Sequence, residues 1–246
     1  MANISRSQAV KAIGAAAAMA AAGGIEALAS SGEGIPGKKT ARNMKVILIN
    51  GSPRKKGNTN RLLEEVAAQL GLSGIDTEIV QLGSAPVRGC IACGKCSEGH
   101  CVFDNDICNS VIDKMADADG LIVGSPVYYG VPAGQVLSLI QRMAYAGGAN
   151  LQGKPVAAVT VCRRGGGTSA FQTLQMPFQM LNMPIVTSQY WNIAYGGASG
   201  DVEKDAEGLQ TMRTLADNMA YMLKQFATGT AQEPDREKVV RTNFIR

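Results

Sequence analysis

The chain has 246 residues, a length that suits one α/β domain with extensions or at most two small domains. Its net charge is only +4 and no long Lys/Arg block occurs, which argues against a nucleic-acid-binding protein, because these need a concentrated basic face. The body contains no apolar run long enough for a stable membrane span. A single histidine, His100, argues against a His-based catalytic triad and against a multi-His metal site.

The first forty residues differ in composition from the rest and have the layout of an export signal. Arg6 and Lys11 precede an Ala/Gly-rich run that ends in a small-residue site at 27–29. The segment 5–11 resembles a twin-arginine signal whose second Arg is replaced by Ser. The alternative is an Ala-rich extension without a targeting signal. The expected location is therefore either the cytoplasm or, if the degenerate signal works, outside the cytoplasm. Residues 1–43 are predicted to be a signal-like extension and linker.

Strand-like and helix-like segments alternate along residues 44–228, which are predicted to form one domain. Residues 229–246 are predicted to be a C-terminal tail. Short apolar runs between turn residues predict the strands, and apolar residues at helical spacing predict the helices. The predicted strands are 44–50, 76–82, 120–127, 154–161 and 184–191, and the predicted helices are 58–70, 107–115, 135–145, 169–181 and 202–226. This alternation predicts an α/β fold with a doubly wound, five-stranded parallel sheet and helices on both faces. Ligands of such sheets bind beyond the carboxyl ends of the strands.

The first loop at that edge, GSPRKKGNT at residues 51–59, suits a phosphate monoester. Its candidate donors are Ser52, Arg54, Asn58 and Thr59, together with the backbone N–H groups at the start of the following helix. The loop lacks both the Walker pattern and the dinucleotide pattern GxGxxG. The alternative is a solvated turn followed by a helix cap.

The second loop, SPVYYGVPAG at residues 125–134, suits a flat aromatic ring. An isoalloxazine ring needs a slot with aromatic or apolar walls and backbone groups for its polar edge. The candidate residues are Pro126, Val127, Tyr128, Tyr129 and Gly130. Proline and glycine would hold the loop in one shape and allow close backbone approach. A tight turn that caps the core is the alternative.

The third loop, CRRGGGT at residues 162–168, carries three consecutive glycines. Consecutive glycines cost backbone entropy unless a ligand lies against them. The candidate residues are Arg163, Arg164, Gly165 and Gly166. A flexible loop without a ligand is the alternative.

In their order along the chain, the three loops resemble those of the NAD(P)H-dependent FMN reductase branch of the flavodoxin-like superfamily, over residues 44 to about 226. The resemblance implies a flavodoxin-like fold and one bound FMN. It places the phosphate of FMN at the first loop, one side of the flavin ring at the second loop, and the far edge of the ring at the third. It also implies NAD(P)H as an electron donor.

Four cysteines crowd into a predicted insertion at residues 86–108, with the spacing C-x2-C-x2-C-x4-C. They are Cys90, Cys93, Cys96 and Cys101. Such crowding favours an iron–sulfur cluster, because one loop can wrap its thiolates around it. Cluster-free thiols, a zinc site and, in an exported protein, two disulfides stay open. The segment resembles the cysteine motif of the iron–sulfur flavoproteins, which implies a 4Fe–4S cluster. Cys108 and Cys162 are expected to be ordinary buried thiols.

Three functions are compatible with these motifs. The first is an FMN-dependent oxidoreductase that also carries a 4Fe–4S cluster, and the second is a cluster-free NAD(P)H-dependent reductase of FMN, quinone, azo or nitro compounds. The third is a non-catalytic flavodoxin-like electron carrier, which the net charge of +4 disfavours because such carriers are usually acidic. The expected partners are a small-molecule electron acceptor or a redox protein, and further copies of the chain in a homodimer or tetramer. No residue is assigned a proton-transfer role.

Overall fold

The structure is a computed structural model that describes residues 43–231. The predicted signal-like extension and most of the predicted C-terminal tail lie outside the described residues. Within 43–231, none of the helices combines the length and the apolar character that crossing a bilayer requires.

A six-stranded sheet forms the centre of the described domain. Its strands are β1 (Lys45–Asn50), β2 (Asp76–Gln81), β3 (Gly120–Tyr128), β4 (Val131–Pro132), β5 (Val156–Cys162) and β6 (Ile193–Tyr195). The order is β2-β1-β3-β5-β6 with parallel neighbours, and the short β4 pairs antiparallel with the end of β3. This order confirms the predicted flavodoxin-like, doubly wound sheet, in which the strand order reverses between β1 and β3.

Helices cover both faces of the sheet, as predicted. They are α1 (Asn58–Leu72), α2 (Cys108–Asp117), α3 (Gly134–Ala146), α4 (Gly148–Leu151), α5 (Gly167–Met180) and α6 (Ala206–Thr228), and a 3-10 turn at Asp201–Lys204 precedes α6. Side chains alternate between the faces of β1. Ile47 and Ile49 pack with apolar residues of α2, α3 and α5, whereas Val46 and Leu48 pack with those of α1 and α6.

The edge strand after β5 lies later in the chain than the prediction of 184–191. A single parallel bridge joins Ile185 to Val156, and continuous pairing begins only at Ile193. Pro184 accepts a hydrogen bond from the Val156 N–H at 2.9 Å, and the Val186 N–H donates to the Val156 carbonyl oxygen at 2.8 Å, but the chain then leaves the sheet until Ile193. The predicted element type is therefore right and its position is wrong.

Between Ile185 and Ile193, a side chain replaces the missing backbone hydrogen bonds to β5. The Ser188 hydroxyl donates to the Tyr190 carbonyl oxygen at 2.6 Å, within a turn that leaves the sheet. Asn192 is 1% exposed, and its amide nitrogen donates to the Ala158 carbonyl oxygen at 3.0 Å. Its backbone carbonyl accepts from the Thr160 N–H at 2.9 Å. The edge of β5 therefore stays hydrogen-bonded although its partner strand is interrupted.

Candidate functional site

A cavity of about 650 Å³, here called the edge cavity, opens at the carboxyl edge of the sheet. It lies beyond the ends of β1, β3 and β5, where doubly wound sheets bind ligands. All three predicted loops contribute to its wall. A fourth segment, residues 195–201 after β6, contributes as well and was not singled out from the sequence.

The first loop brings all four of its predicted residues to the edge cavity. Ser52 and Thr59 are 4% and 2% exposed, whereas Arg54 is exposed to solvent. The fully buried Asn50 holds the loop, because its Oδ1 accepts from the Ser52 N–H at 3.1 Å and its amide nitrogen donates to Gln81 Oε1 at 2.6 Å. Side chains from two strands thus fix the loop without a ligand.

Helix α1 starts at this wall, since Gly57 precedes its first residue and lines the cavity. No side chain caps its N-terminus and its first turn contains no acidic residue. The first N–H groups of such a helix carry a partial positive charge that favours an anion. Arg54 adds a positive charge to the same cavity wall, which Asp201 also lines with a carboxylate paired with Lys204.

Asn58 lines the edge cavity, but its amide group is used within the protein. Its Nδ2 donates to the Ala198 carbonyl oxygen at 2.8 Å, and its Oδ1 accepts from the Gly200 N–H at 2.9 Å. A Cβ on Gly196 would lie 2.7 Å from Asn58 Nδ2, so this approach requires glycine. Asn58 therefore ties residues 196–201, here called the strap, to the start of α1.

Further polar contacts fix the strap. The Ser199 hydroxyl donates to the Lys56 carbonyl oxygen at 2.9 Å, and Asp201 Oδ2 accepts from the Ala198 N–H at 2.7 Å. The Ala198 N–H and the Lys204 ammonium lower the pKa of Asp201, so this carboxyl group is ionised at neutral pH. The signal in the sequence is the glycine-rich run GGASGD after a short strand, but its partner on α1 is far away in the chain.

The second loop contributes Pro126, Val127 and Tyr128 to the edge cavity. Tyr129 does not line it: its backbone is left-handed, with φ of 50°, and its side chain is fully exposed. Gly130 is also outside the lining, although its φ of 83° provides the turn into β4. The tandem tyrosines thus differ in placement, because the turn sends one to the cavity and the other to solvent.

The third loop contributes Arg163, whereas Arg164 and Gly165 are exposed outside the lining. Gly166 has a φ of 86°, and a Cβ there would lie 2.7 Å from the Gly130 Cα. This glycine is therefore required because the second and third loops pack directly on each other. The sequence predicts a different reason for a glycine here, namely that a ligand lies against the loop.

Gly166→Ala is expected to destabilise the protein by about 2–4 kcal/mol, because alanine disfavours a left-handed backbone and its Cβ would collide with the second loop. Gly165→Ala is the matched control, since a Cβ at that position would meet nothing within 4 Å. Urea unfolding of both variants measures the difference. Equal stability of the two variants would contradict this explanation of Gly166.

A second cavity of about 440 Å³, here called the cysteine cavity, is lined by all four cysteines of the predicted motif. They are free thiols at positions 90, 93, 96 and 101. The loop bends around the cavity through left-handed residues at Ala92 and Gly94, with φ of 51° and 66°. The Ala92 N–H donates to Cys90 Sγ at 3.4 Å.

The four thiols are close enough to influence one another. Burial raises the pKa of the Cys96 thiol, and Cys101, Cys93 and Cys90 raise it further. Within residues 43–231, however, no group of three or more His, Cys, Asp or Glu side chains has an arrangement that could hold a metal ion. The thiols thus share one cavity without converging on a single point.

Arg142 of α3 forms part of the wall of the cysteine cavity and was missed from the sequence. Its side chain is 1% exposed and pairs with Asp106. Its Nε donates to Cys101 Sγ at 3.3 Å, and its terminal nitrogens donate to the carbonyl oxygens of Arg88 and Phe103. The signal in the sequence is a charged residue on the otherwise apolar stripe of α3.

Asp106 is held as a carboxylate by this arrangement. Burial alone would raise its pKa, but N–H donors of Cys108 and Arg88 and the Arg142 guanidinium outweigh burial and lower the pKa of Asp106. Cys108 and Cys162 are buried, as expected, and neither lines the edge or the cysteine cavity. Burial raises the pKa of Cys108 to about 12, so it stays a neutral thiol.

The chain is similar to proteins that are named after both predicted cofactors. An iron-sulfur flavoprotein of Methanocaldococcus jannaschii is 36% identical over 190 residues, which cover 74% of this chain and 98% of that protein. An iron-sulfur flavoprotein of Methanosarcina thermophila is 31% identical over 187 residues, which cover 74% of this chain and 96% of that protein.

Solved structures support the fold. RosB, crystallised with bound 8-demethyl-8-formylriboflavin-5'-phosphate, has a TM-score of 0.62 at 14% identity over 82% of this chain and 92% of its own. An apo NADH:FMN oxidoreductase has a TM-score of 0.54 at 16% identity over 73% of this chain and 90% of its own. At such identities the likeness shows the fold alone.

The family relationship rests on the sequence itself. Residues 44–198, more than half of the chain, match the family described as NADPH-dependent FMN reductase. This match and the iron–sulfur flavoproteins above confirm the resemblance inferred from the loops and the cysteine motif. The chain belongs to the family of NADPH-dependent FMN reductases and iron–sulfur flavoproteins.

Proposed function

We propose that the protein is a flavin-dependent oxidoreductase that binds one FMN in the edge cavity and a 4Fe–4S cluster in the cysteine cavity. The observation that carries this proposal is that residues of all three predicted loops line the edge cavity, that all four cysteines line the cysteine cavity, and that the two linings share no residue. When bound, FMN supplies two-electron chemistry and the cluster supplies single-electron transfer. The expected partners are a small-molecule electron acceptor or a redox protein, with NAD(P)H as a donor.

The first loop would hold the phosphate of FMN. Buried hydroxyl-bearing residues, Ser52 and Thr59, lie in the same wall as the uncapped N-terminus of α1, and the Arg54 guanidinium adds a full positive charge. A phosphate monoester needs several donors and a positive field, and both are supplied here. Asn58 would act indirectly, by holding the strap, because both ends of its amide already have partners.

The other walls of the edge cavity suit the flavin ring. Pro126, Val127 and Val161 provide apolar surface, and Tyr128 and Tyr195 provide aromatic surface. Ligand sites for flat rings are lined in this way. Arg163 would bring a cation to the same region, where it could face the polar edge of the ring or a bound substrate.

Asn58→Ala is expected to accelerate the dissociation of FMN by up to roughly thirtyfold, because two hydrogen bonds that fix the strap, at about 1 kcal/mol each, are lost. Gln69→Ala is the matched control: Gln69 is also on α1 and donates a hydrogen bond to a distant residue, Asp217 of α6, but it does not line the edge cavity. Recovery of flavin fluorescence after dilution measures the rate. Equal rates in both variants would refute the role of the strap.

The donor set of the cysteine cavity suits a cluster, although within residues 43–231 the four thiols do not converge as a metal-binding group. Four free thiols share one cavity, the Ala92 N–H donates to one sulfur, and the Arg142 guanidinium donates to another. Hydrogen bonds to sulfur and a compensating positive charge are what four thiolates need in a partly buried site. Cys90, Cys93, Cys96 and Cys101 would be the ligands, and Cys108 would stay outside the site.

A cluster-free NAD(P)H-dependent reductase is the second candidate, because the four thiols do not converge as a metal-binding group within residues 43–231. The two candidates differ in one assay. Anaerobically reconstituted protein should contain about four irons and matching sulfide per chain if the cluster forms. Protein that binds FMN and oxidises NAD(P)H but retains no iron would favour the second candidate.

We also propose a homodimer or tetramer. Several aromatic side chains are strongly exposed, among them Tyr129, Tyr190 and Trp191. Exposed apolar patches of this kind are typical of interaction sites, and a second subunit would cover them. Light scattering at micromolar concentration measures the mass, and a monomer would contradict this assembly.

A further inference from the structure

The Arg142 side chain donates hydrogen bonds to the segment that carries the four cysteines. It is 1% exposed, and its hydrogen-bond partners are Cys101 Sγ, the Asp106 carboxylate and the carbonyl oxygens of Arg88 and Phe103. All four partners lie between the end of β2 and the start of α2, whereas Arg142 itself lies on α3. One guanidinium thus anchors both ends of the loop to the rigid domain.

Stability alone does not account for a charge at this position. Its neighbours on the buried stripe of α3, Leu139 and Met143, are apolar. Burying a guanidinium costs several kcal/mol of desolvation, and replacing a buried ion pair with apolar residues is often neutral or stabilising. The contact between Arg142 Nε and Cys101 Sγ provides a different reason, because it directs the positive charge at one of the four thiols.

The charge matters most when the thiols hold a redox centre. Four thiolate ligands leave a cluster with a net negative charge, and reduction adds one more electron. A guanidinium whose Nε lies 3.3 Å from a ligand sulfur stabilises the reduced state more than the oxidised state. Asp106 counteracts this effect, because its carboxylate pairs with the same guanidinium.

We propose that Arg142 is a positioning residue that raises the reduction potential of the cluster through its charged hydrogen bond to Cys101, and that Asp106 limits this effect. The inference rests on the proposed function, since it requires a cluster at the four cysteines. It assigns opposite roles to the two members of one buried ion pair.

The test is a redox titration of the full-length protein after anaerobic reconstitution, with the cluster followed by its visible absorption. Arg142→Met is expected to lower the midpoint potential by about 59 mV or more, which is a tenfold shift in the one-electron equilibrium. Asp106→Asn is expected to raise the potential. Arg213→Met is the control, because Arg213 pairs with Glu65 outside the cysteine cavity. The midpoint potential of the cluster in this variant should equal that in the wild type.

Shifts of opposite sign in the two variants support the inference. Shifts of the same sign, or no shift in variants with full iron content, overturn it and leave the cluster proposal intact. If Arg142→Met does not fold, Arg142→Lys should give a smaller decrease, since it keeps the charge without the planar fork. In that case an unchanged or lowered potential in Asp106→Asn overturns the inference. Wild-type protein that retains no iron would refute the cluster and the inference together.

Discussion

Cys93→Ser is expected to reduce the iron content from about four atoms per chain to nearly zero while FMN stays bound. Cys93 lines the cysteine cavity with the three other thiols of the motif, and a serine hydroxyl is a much poorer ligand of iron than a thiolate. The edge cavity shares no lining residue with the cysteine cavity. Loss of the cluster should therefore leave the flavin site intact.

Cys108→Ala provides the control for this experiment. Cys108 is fully buried next to the motif but does not line the cysteine cavity, and burial keeps its thiol neutral. Iron, sulfide and flavin are measured together on protein reconstituted without oxygen. Full iron content in Cys93→Ser, or an equal loss in Cys108→Ala, would show that the four-cysteine cavity is not the cluster site.

Arg54→Ala is expected to weaken FMN binding by about 1.5–3 kcal/mol, which corresponds to roughly 10- to 150-fold in the dissociation constant. Arg54 brings a full positive charge to the wall of the edge cavity beside Ser52 and the N-terminus of α1. Lys55→Ala is the matched control, because Lys55 is an exposed cation next in the chain that does not line the cavity.

Riboflavin lacks the phosphate, so a comparison of riboflavin and FMN binding shows which part of the ligand Arg54 contacts. If the guanidinium binds the phosphate, Arg54→Ala should weaken FMN binding and leave riboflavin binding unchanged. Fluorescence titration of the apoprotein with both ligands provides the four constants. Equal losses for FMN and riboflavin would mean that Arg54 acts on the ring or on the shape of the loop.

The sheet and three of its loops could be predicted because their signals are local. Apolar runs such as that of β1 are buried on both faces, and turn residues end them at the binding edge. The position of β6 could not be predicted, because the Asn192 side chain replaces strand pairing across the fold. A hydrogen bond of this kind has no signature in the apolar pattern.

The same distinction applies to the site. Ser52, Arg54 and Thr59 follow each other in one loop, and the structure brings them to one cavity. The strap contacts Asn58 across about 140 residues of chain, and Arg142 contacts Cys101 across 41. Long-range partners of this kind depend on the packing of whole helices, so the sequence indicates the residue types but not their pairing.

The cofactor content of the full-length protein is the most direct test of whether it binds both FMN and a 4Fe–4S cluster. After anaerobic purification, with FMN and iron supplied during reconstitution, the flavin is released by acid, identified and counted with the iron. We expect one FMN and about four irons per chain, and no FAD, because the first loop suits a terminal phosphate. A colourless protein that takes up neither FMN nor iron under these conditions would contradict this expectation.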